Sequence, residues 1–307
     1  MTAAELIGRL KFAGEVRLSE PMSMHTSLGI GGPADAMVFP ENVGQLVDIV
    51  KGAWSEGVPA FIIGNGTNLL VKDGGIDGLV INLAKLDWII KENVEGGDIA
   101  IRSGAGTPLP KLANFCADEG LSGLEFAAGI PGTVGGAVYM NAGAYGYEIK
   151  DILYKTLLIK EDGKASELIA GETRKEYRHG GIPENAAVAE AWFRLVPGDP
   201  GAIKARASEF IKKRRASQPL AEKSAGSTFK NPPGEKAWKL IEGAGLKGLS
   251  VGGAAVSGKH ANFLINASGA TAKDFIALME IVKQKVKDKT GFDLEPEVKI
   301  VGRDWNA

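Results

Sequence analysis

The chain has one cysteine in 307 residues, Cys116, which excludes an intramolecular disulfide and a multi-thiolate metal site. Histidine is nearly as scarce: His25, His179 and His260 are scattered and offer no metal-ligand spacing, so no metal is expected. No apolar run approaches the length of a membrane span, and the first residues lack a basic stretch leading into an apolar core. The expectation is a soluble, cytoplasmic protein with no membrane partner. Charge of either sign is not in excess. A formal net charge of −1 argues against a nucleic-acid partner, because phosphate-tracking proteins carry a basic surplus. No obligate protein partner is implied. Cys116 itself lies in Leu112-Ala113-Asn114-Phe115-Cys116-Ala117, an apolar helix face, and reads as a buried structural thiol.

Glycine is the residue in surplus, 42 of 307, and with 44% hydrophobic residues the chain can build two or three domains with cores of their own. The glycines cluster in short loops between apolar segments: Gly29-Ile30-Gly31-Gly32, Gly64-Asn65-Gly66-Thr67-Asn68 and Gly129-Ile130-Pro131-Gly132-Thr133-Val134-Gly135-Gly136. Such loops let backbone approach a ligand closely. Several in one region point to a large ligand bearing phosphates. The Gly64 loop lies between two apparent strands, 60–63 and 69–71, so it is not the dinucleotide fingerprint, which opens a helix. A diphosphate there would be held by loop amides.

Helical periodicity predicts helices over 42–54, 108–119 (closed by Gly120), 237–243 and 272–289, and an amphipathic helix with Ile203, Ala207, Phe210 and Ile211 on one face. Strands are expected at 78–83, 88–90, 99–102, 154–159, 187–196, 260–266 and 293–300, with a hairpin turn at Glu161-Asp162-Gly163-Lys164 and a linker at Pro197-Gly198-Asp199-Pro200. The cations Lys212-Lys213-Arg214-Arg215 close the amphipathic helix. They suit a solvated helix end, and equally a site for substrate phosphates.

Chemistry is concentrated in Gly226-Ser227-Thr228-Phe229-Lys230-Asn231-Pro232-Pro233. No G-x-S-x-G elbow surrounds Ser227, and no histidine stands near it in sequence. A hydroxyl without a base suits proton donation better than attack on a carbonyl. A surface turn is the other reading of this loop. In the final strand Glu295 and Glu297 share one face, so either an edge strand with a charged outer side or a carboxylate turned into a site fits the pattern. Arg178, in Glu176-Tyr177-Arg178-His179, reads on its own as a strand-end surface residue.

Five motifs in order carry a resemblance: Gly64-Asn65-Gly66-Thr67-Asn68-Leu69-Leu70-Val71, Gly129-Ile130-Pro131-Gly132-Thr133-Val134-Gly135-Gly136-Ala137, Tyr177-Arg178, Ala225-Gly226-Ser227 and Leu294-Glu295-Pro296-Glu297-Val298. Together with the run 252–263, they resemble the UDP-N-acetylenolpyruvoylglucosamine reductase family over residues 24–302. The first two motifs alone indicate the broader class of flavin enzymes related to vanillyl-alcohol oxidase.

The resemblance implies an α+β chain: a two-subdomain FAD-binding fold of that type (residues 1–80 and 81–198) and a C-terminal α+β substrate domain (199–307). It implies non-covalent FAD, with NADPH as electron donor and UDP-N-acetylglucosamine enolpyruvate as substrate. FAD would be held by Gly64, Asn65, Gly66, Thr67, Asn68, Leu69, Gly129, Ile130, Pro131, Gly132, Thr133, Gly135, Gly136 and Ala137. Ser227 would deliver a proton, with Arg178 and Glu297 stabilising the substrate carboxylate; Tyr177, Arg215, Gln218, Lys230 and Asn231 are the implied substrate contacts.

The chain departs from the family pattern in three places. Gly180 replaces a hydroxyl residue, and Lys223 stands where a proline often precedes the serine motif. The short stretch from Arg178 to Ser227 resembles members without the tyrosine-bearing insert that caps substrate. A flavin-dependent oxidase of a hydroxy acid or sugar, and a nonenzymatic flavin or nucleotide-sugar binder, are the competing readings.

Overall fold

The computed structural model describes residues 1–93, 99–171 and 177–304. They group into two compact units, one of residues 1–18, 36–65 and 78–214, the other of 19–35, 66–77 and 215 onward. No helix among the described residues is long and apolar enough to cross a membrane.

The first unit opens with helix α1 (Ala3–Leu10), which sequence periodicity did not single out. A capping box holds it: the Glu5 amide donates to Thr2 Oγ1 at 3.2 Å and the Thr2 amide to Glu5 Oε2 at 2.8 Å. Strands β1 (Glu15–Pro21), β2 (Pro33–Phe39), β3 (Ala60–Ile63) and β5 (Ile76–Asn82) form a sheet ordered β1-β2-β5-β3, whereas β4 (Leu69–Val71) pairs elsewhere. Helix α2 (Val43–Ser55) starts where expected because Asn42 Oδ1 accepts from the Gln45 amide at 2.9 Å. It buries Leu46, Ile49, Val50 and Ala53 in the core of this unit.

An antiparallel sheet ordered β12-β11-β13-β7-β6 follows, built from β6 (Ile89–Asn93), β7 (Ile99–Gly104), β11 (Leu153–Ile159), β12 (Ala165–Ile169) and β13 (Ala187–Pro197), with β8 (Leu121–Ser122) pairing the end of β13. The hairpin turn between β11 and β12 forms as read, with Gly163 at φ +78°. Helix α3 (Leu109–Asp118) buries Leu109, Leu112, Ala113, Cys116 and Ala117. Burial pushes the Cys116 thiol up to about 12, so it stays protonated and unreactive in the neutral range. Helix α4 (Val134–Tyr139), the short hairpin of β9 (Gly143–Ala144) and β10 (Tyr147–Glu148), and helix α5 (Pro200–Ser217) complete the unit.

In the second unit, β14 (Lys223–Ser224), β15 (Ser250–Val251), β16 (Ala254–Val256) and β17 (Leu264–Asn266) form a sheet ordered β14-β17-β16-β15. Helices α6 (Ala237–Gly243) and α7 (Ala272–Thr290) occur as predicted. The N-terminus of α7 is capped by Thr271 and by Asp73, whose carboxylate accepts from the amides of Ala272 at 2.8 Å and Lys273 at 3.1 Å. The core gathers Phe275, Leu278, Met279, Val282 and Val286 of α7 with Phe229, Leu294 and Val298.

Two expected strands are shorter than read. The 260–266 strand is reduced to β17, because the Phe263 amide turns back to the His260 carbonyl at 2.9 Å. Of the 293–300 strand, only β18 (Lys299–Val301) is regular, parallel to β4. Pro296 supplies no amide for a ladder, and the segment before β18 pairs with the serine loop instead. Leu294 and Val298 are buried as the alternation required; Ile300 is exposed.

Two familiar strings lie in settings that exclude their usual roles. Gly248-Leu249-Ser250-Val251-Gly252 spells a nucleophile elbow, but exposed Ser250 begins an antiparallel hairpin rather than a strand-to-helix turn. Gly243-Ala244-Gly245-Leu246-Lys247-Gly248 spells the dinucleotide string, yet it follows helix α6 instead of opening a helix.

Candidate active site

The second unit brings Ser227 and Glu297 onto adjacent antiparallel segments. An isolated bridge joins Phe229 to Pro296; the Glu297 amide donates to the Thr228 carbonyl at 2.8 Å, and the Lys230 amide to the Glu295 carbonyl at 2.8 Å. The paired positions lie 65 to 69 residues apart in the chain, a pairing no local pattern announces. Gly226, at φ +76°, makes the turn ahead of the serine. Ser227 is half-buried, and its hydroxyl forms no hydrogen bond among the described residues. The backbone around it is fixed while the hydroxyl is left to a ligand.

Glu295 and Glu297, equivalent on the sequence pattern, are separated by the fold. Glu295 is exposed and joined to Lys230 Nζ at 2.5 Å. Glu297 is half-buried, and its carbonyl accepts from Asn68 Nδ2 at 3.0 Å. Asn68, a candidate FAD residue, thereby fixes the backbone of a candidate catalytic one. Its own carbonyl accepts from the Lys299 amide at 3.0 Å.

Asn262 lies in the run 252–263, and it is the anchor of the serine loop. It is buried; its Nδ2 donates to the Phe229 carbonyl at 2.8 Å, its Oδ1 accepts from the Phe229 amide at 3.0 Å, and its carbonyl accepts from the Thr228 amide at 2.8 Å. The available signal was an asparagine set between small and apolar residues, Ala261 and Phe263. Truncation strands two buried backbone groups, so Asn262→Ala should cost about 2–4 kcal/mol of stability. Urea denaturation of the variant checks this; an unchanged midpoint would show the loop to be held by other contacts.

The remaining second-unit candidates are spread along the segment leading to and from Ser227. Gln218 has its Oε1 buried with no donor among the described residues, Arg215 is exposed with its carbonyl accepting from Lys259 Nζ at 2.6 Å, and Asn231 Oδ1 accepts from the first amide of α6 at 3.1 Å. A hollow bordered by Gly29, Glu222, Lys223, Ile265, Asn266 and Gly269 lies in the same unit, but neither Ser227 nor Glu297 lines it.

In the first unit, Arg178 takes the left-handed conformation at φ +61°, disfavoured for a residue with a side chain. Its guanidinium stacks over Tyr177 at 4.8 Å, and Nη1 donates to the Gly143 carbonyl at 3.5 Å. The Gly180 departure has a steric reason in this chain. A Cβ there would stand 2.0 Å from the Val138 carbonyl, and the Gly180 amide donates to the Tyr139 carbonyl at 2.9 Å. No hydroxyl-bearing side chain fits this path.

Two glycine loops meet in this unit. A Cβ on Gly64 would lie 2.2 Å from Thr133 Oγ1, and one on Gly135 would lie 2.8 Å from Ala105 Cβ. Gly132, at φ +122°, turns the chain into α4, whose N-cap is Thr133. Gly64 and Asn65 belong to the first unit and Gly66 to Leu69 to the second, where Gly66 at φ +58° lies against the His25 carbonyl. Side chains are excluded at these glycines, which leaves main-chain amides, with the side chains of Asn65 and Thr133 in the first unit and of Thr67 and Asn68 in the second. Donors of this kind suit a diphosphate-bearing cofactor.

Comparison with known proteins agrees with both parts. Residues 34–168 match an FAD binding domain family, and 218–301 match the family described as UDP-N-acetylenolpyruvoylglucosamine reductase, C-terminal domain. The first span contains both candidate FAD loops, the second contains Ser227 and Glu297, and Tyr177, Arg178 and Arg215 fall between them. The UDP-N-acetylenolpyruvoylglucosamine reductase of Caldanaerobacter subterraneus is 46% identical over 290 residues, 94% of each chain. That of Geotalea uraniireducens is 41% identical over 303 residues, 99% of each. The crystal structure of the reductase from Thermus caldophilus superposes with a TM-score of 0.79 at 36% identity, over 94% of this chain and 98% of that one. The architecture is thus an FAD-binding α+β fold with a C-terminal α+β domain, and the flavin-oxidase alternative loses its footing because the C-terminal part matches the reductase as well. Matched in both parts and along nearly its whole length, the chain belongs to the UDP-N-acetylenolpyruvoylglucosamine reductase family, the FAD-dependent reductases of peptidoglycan precursor synthesis.

Proposed function

We propose that this chain reduces UDP-N-acetylglucosamine enolpyruvate to UDP-N-acetylmuramate in the cytoplasm, with NADPH as electron donor and FAD bound non-covalently. In this reading residues 1–80 and 81–198 hold the cofactor and 199–307 the nucleotide sugar. FAD, when bound, supplies to the substrate's terminal alkene carbon the hydride it has taken from NADPH. Negative charge then grows on the substrate carboxylate and the carbon beside it. The Arg178 guanidinium takes that carboxylate, where a preorganised cation acts most strongly as charge develops. Ser227 delivers its hydroxyl proton to the adjacent carbon, and Glu297 serves as an acid or hydrogen-bond partner. Tyr177, Arg215, Gln218, Lys230 and Asn231 bind and orient the nucleotide sugar.

The observation that carries this reading is the Ser227 hydroxyl, unengaged among the described residues on a loop whose backbone is tied to Glu297 and Asn262. An anaerobic half-reaction tests it. NADPH should bleach the yellow protein, and the enolpyruvyl sugar should then restore the oxidised spectrum rapidly. Bleaching without reoxidation would sink the substrate assignment; a protein that takes up no FAD would sink the cofactor assignment too.

A further inference from the structure

Four cations close helix α5, and the fold treats one of them differently. Lys212, Lys213 and Arg215 are exposed, with Lys213 paired to Glu209 at 2.6 Å. Arg214 turns inward. Its Cδ lies 3.2 Å from the place a Cβ on Gly129 would occupy, and Ile211 Cγ1 lies 3.6 Å from the same point. The stem of Arg214 therefore lies over Gly129, the first residue of the second FAD loop. Its Nε is shut off from solvent with no acceptor, and the side chain forms no hydrogen bond or ion pair among the described residues.

A guanidinium in that position is unusual on physical grounds. It presents five donors and does not escape burial by losing its proton. Arg214 is half-buried, and a partly desolvated cation with an unsatisfied Nε is costly. Burial lowers the proton affinity of Arg214, and the neighbouring Tyr145 phenol opposes this only in part. Tyr145 is itself committed: its hydroxyl donates to the Phe210 carbonyl at 2.9 Å, and its ring stacks on Phe210 with centroids 4.6 Å apart. No acceptor for Nε is present among the described residues, which leaves the position open to one from a ligand. Arg214 falls in neither matched span, so neither family match covers it.

We propose that Arg214 is a further FAD-binding residue, its guanidinium taking as acceptor a diphosphate or flavin carbonyl oxygen of the cofactor held by the Gly129 loop. This rests on the reading that the Gly129 loop binds FAD. Packing against Gly129 favours FAD over the nucleotide sugar as the source of the oxygen.

Apoprotein titrated with FAD, followed by quenching of flavin fluorescence, tests the assignment. Arg214→Met should weaken FAD binding roughly 10- to 100-fold, the effect of losing a charge-assisted hydrogen bond. Arg214→Lys should fall between, because it keeps the charge and loses the fork. Lys212→Met should match the wild type. In the apoprotein, Arg214→Met should melt at or above the wild-type temperature, since a half-buried cation with an unsatisfied Nε has been removed; the upward shift on adding FAD should shrink. A merely structural arginine would give the reverse pattern. Unchanged FAD affinity in both Arg214 variants overturns the proposal. So does unchanged FAD affinity with weakened binding of UDP to the loaded protein, which would assign the cation to the nucleotide sugar. Failure of the wild-type apoprotein to take up FAD is a separate outcome and sinks the flavin reading itself.

Discussion

Replacing Ser227 by alanine should leave flavin reduction by NADPH intact and slow reoxidation by the enolpyruvyl sugar roughly 10²- to 10⁴-fold, the range supplied by a positioned proton donor. The fold permits so clean a separation. Among the described residues the hydroxyl holds nothing, so its loss breaks no contact of the resting protein. Thr228, Phe229 and Lys230 keep the loop in place through main-chain bonds to Asn262, Glu295 and Glu297. Stability should change by no more than about 0.5 kcal/mol. Stopped-flow spectroscopy reads the two half-reactions separately, and the affinity for UDP should be unchanged. Equal reoxidation rates in variant and wild type would remove Ser227 from the chemistry. Slowing of both half-reactions would instead point to disturbance of the flavin.

Ser227→Cys sharpens the test. A thiol is more acidic than a hydroxyl, so residual activity in the cysteine variant above that of alanine would mark proton delivery. No difference between the two would argue that the hydroxyl acts by orienting substrate. Asn262→Ala serves as the contrasting case, in which stability and rate fall together because the loop itself is released.

Local signals in the sequence were strong for some elements and silent for others. Helices α2 and α7 were legible because an N-cap side chain and apolar periodicity agree, and α3 because its apolar face runs up to Gly120, at φ +66°. The hairpin at Gly163 was legible because a turn sequence separates two apolar runs. Strand β1 was not: it lies at a sheet edge, most of its residues are exposed, and edge exposure erases alternation. Residues 19–35 and 66–77 join the C-terminal unit through long-range contacts that leave no local mark, among them the β4–β18 pairing and the Asp73 cap on α7. Alternation over 293–300 misled, because Pro296 breaks the ladder. For the site, the motifs around Ser227 and Glu297 named candidates through resemblance, but neither the pairing of the two segments nor the inward turn of Arg214 is encoded within any short window.

The glycines of the first candidate FAD loop should fail in two different ways when given a methyl group. At Gly64 the obstacle is a side chain, Thr133 Oγ1 at 2.2 Å, with Thr133 Cβ farther off at 3.2 Å. Gly64→Ala should weaken FAD binding and cost about 1–3 kcal/mol through overpacking. Adding Thr133→Ala should recover part of both losses, even though removing that N-cap carries a cost of about 1 kcal/mol on its own. At Gly66 the obstacle is the His25 carbonyl at 2.0 Å, and the backbone is at φ +58°, so a side chain there meets main chain and a disfavoured conformation together. Gly66→Ala should therefore do more damage than Gly64→Ala, and no side-chain truncation nearby should rescue it. FAD titration with thermal melting of each apoprotein distinguishes the two. Rescue of Gly64→Ala by Thr133→Ala would establish that the two glycine loops are fitted to each other before FAD arrives. An additive double variant would mean that Thr133 yields on its own, and that the glycine at 64 is required by the cofactor instead.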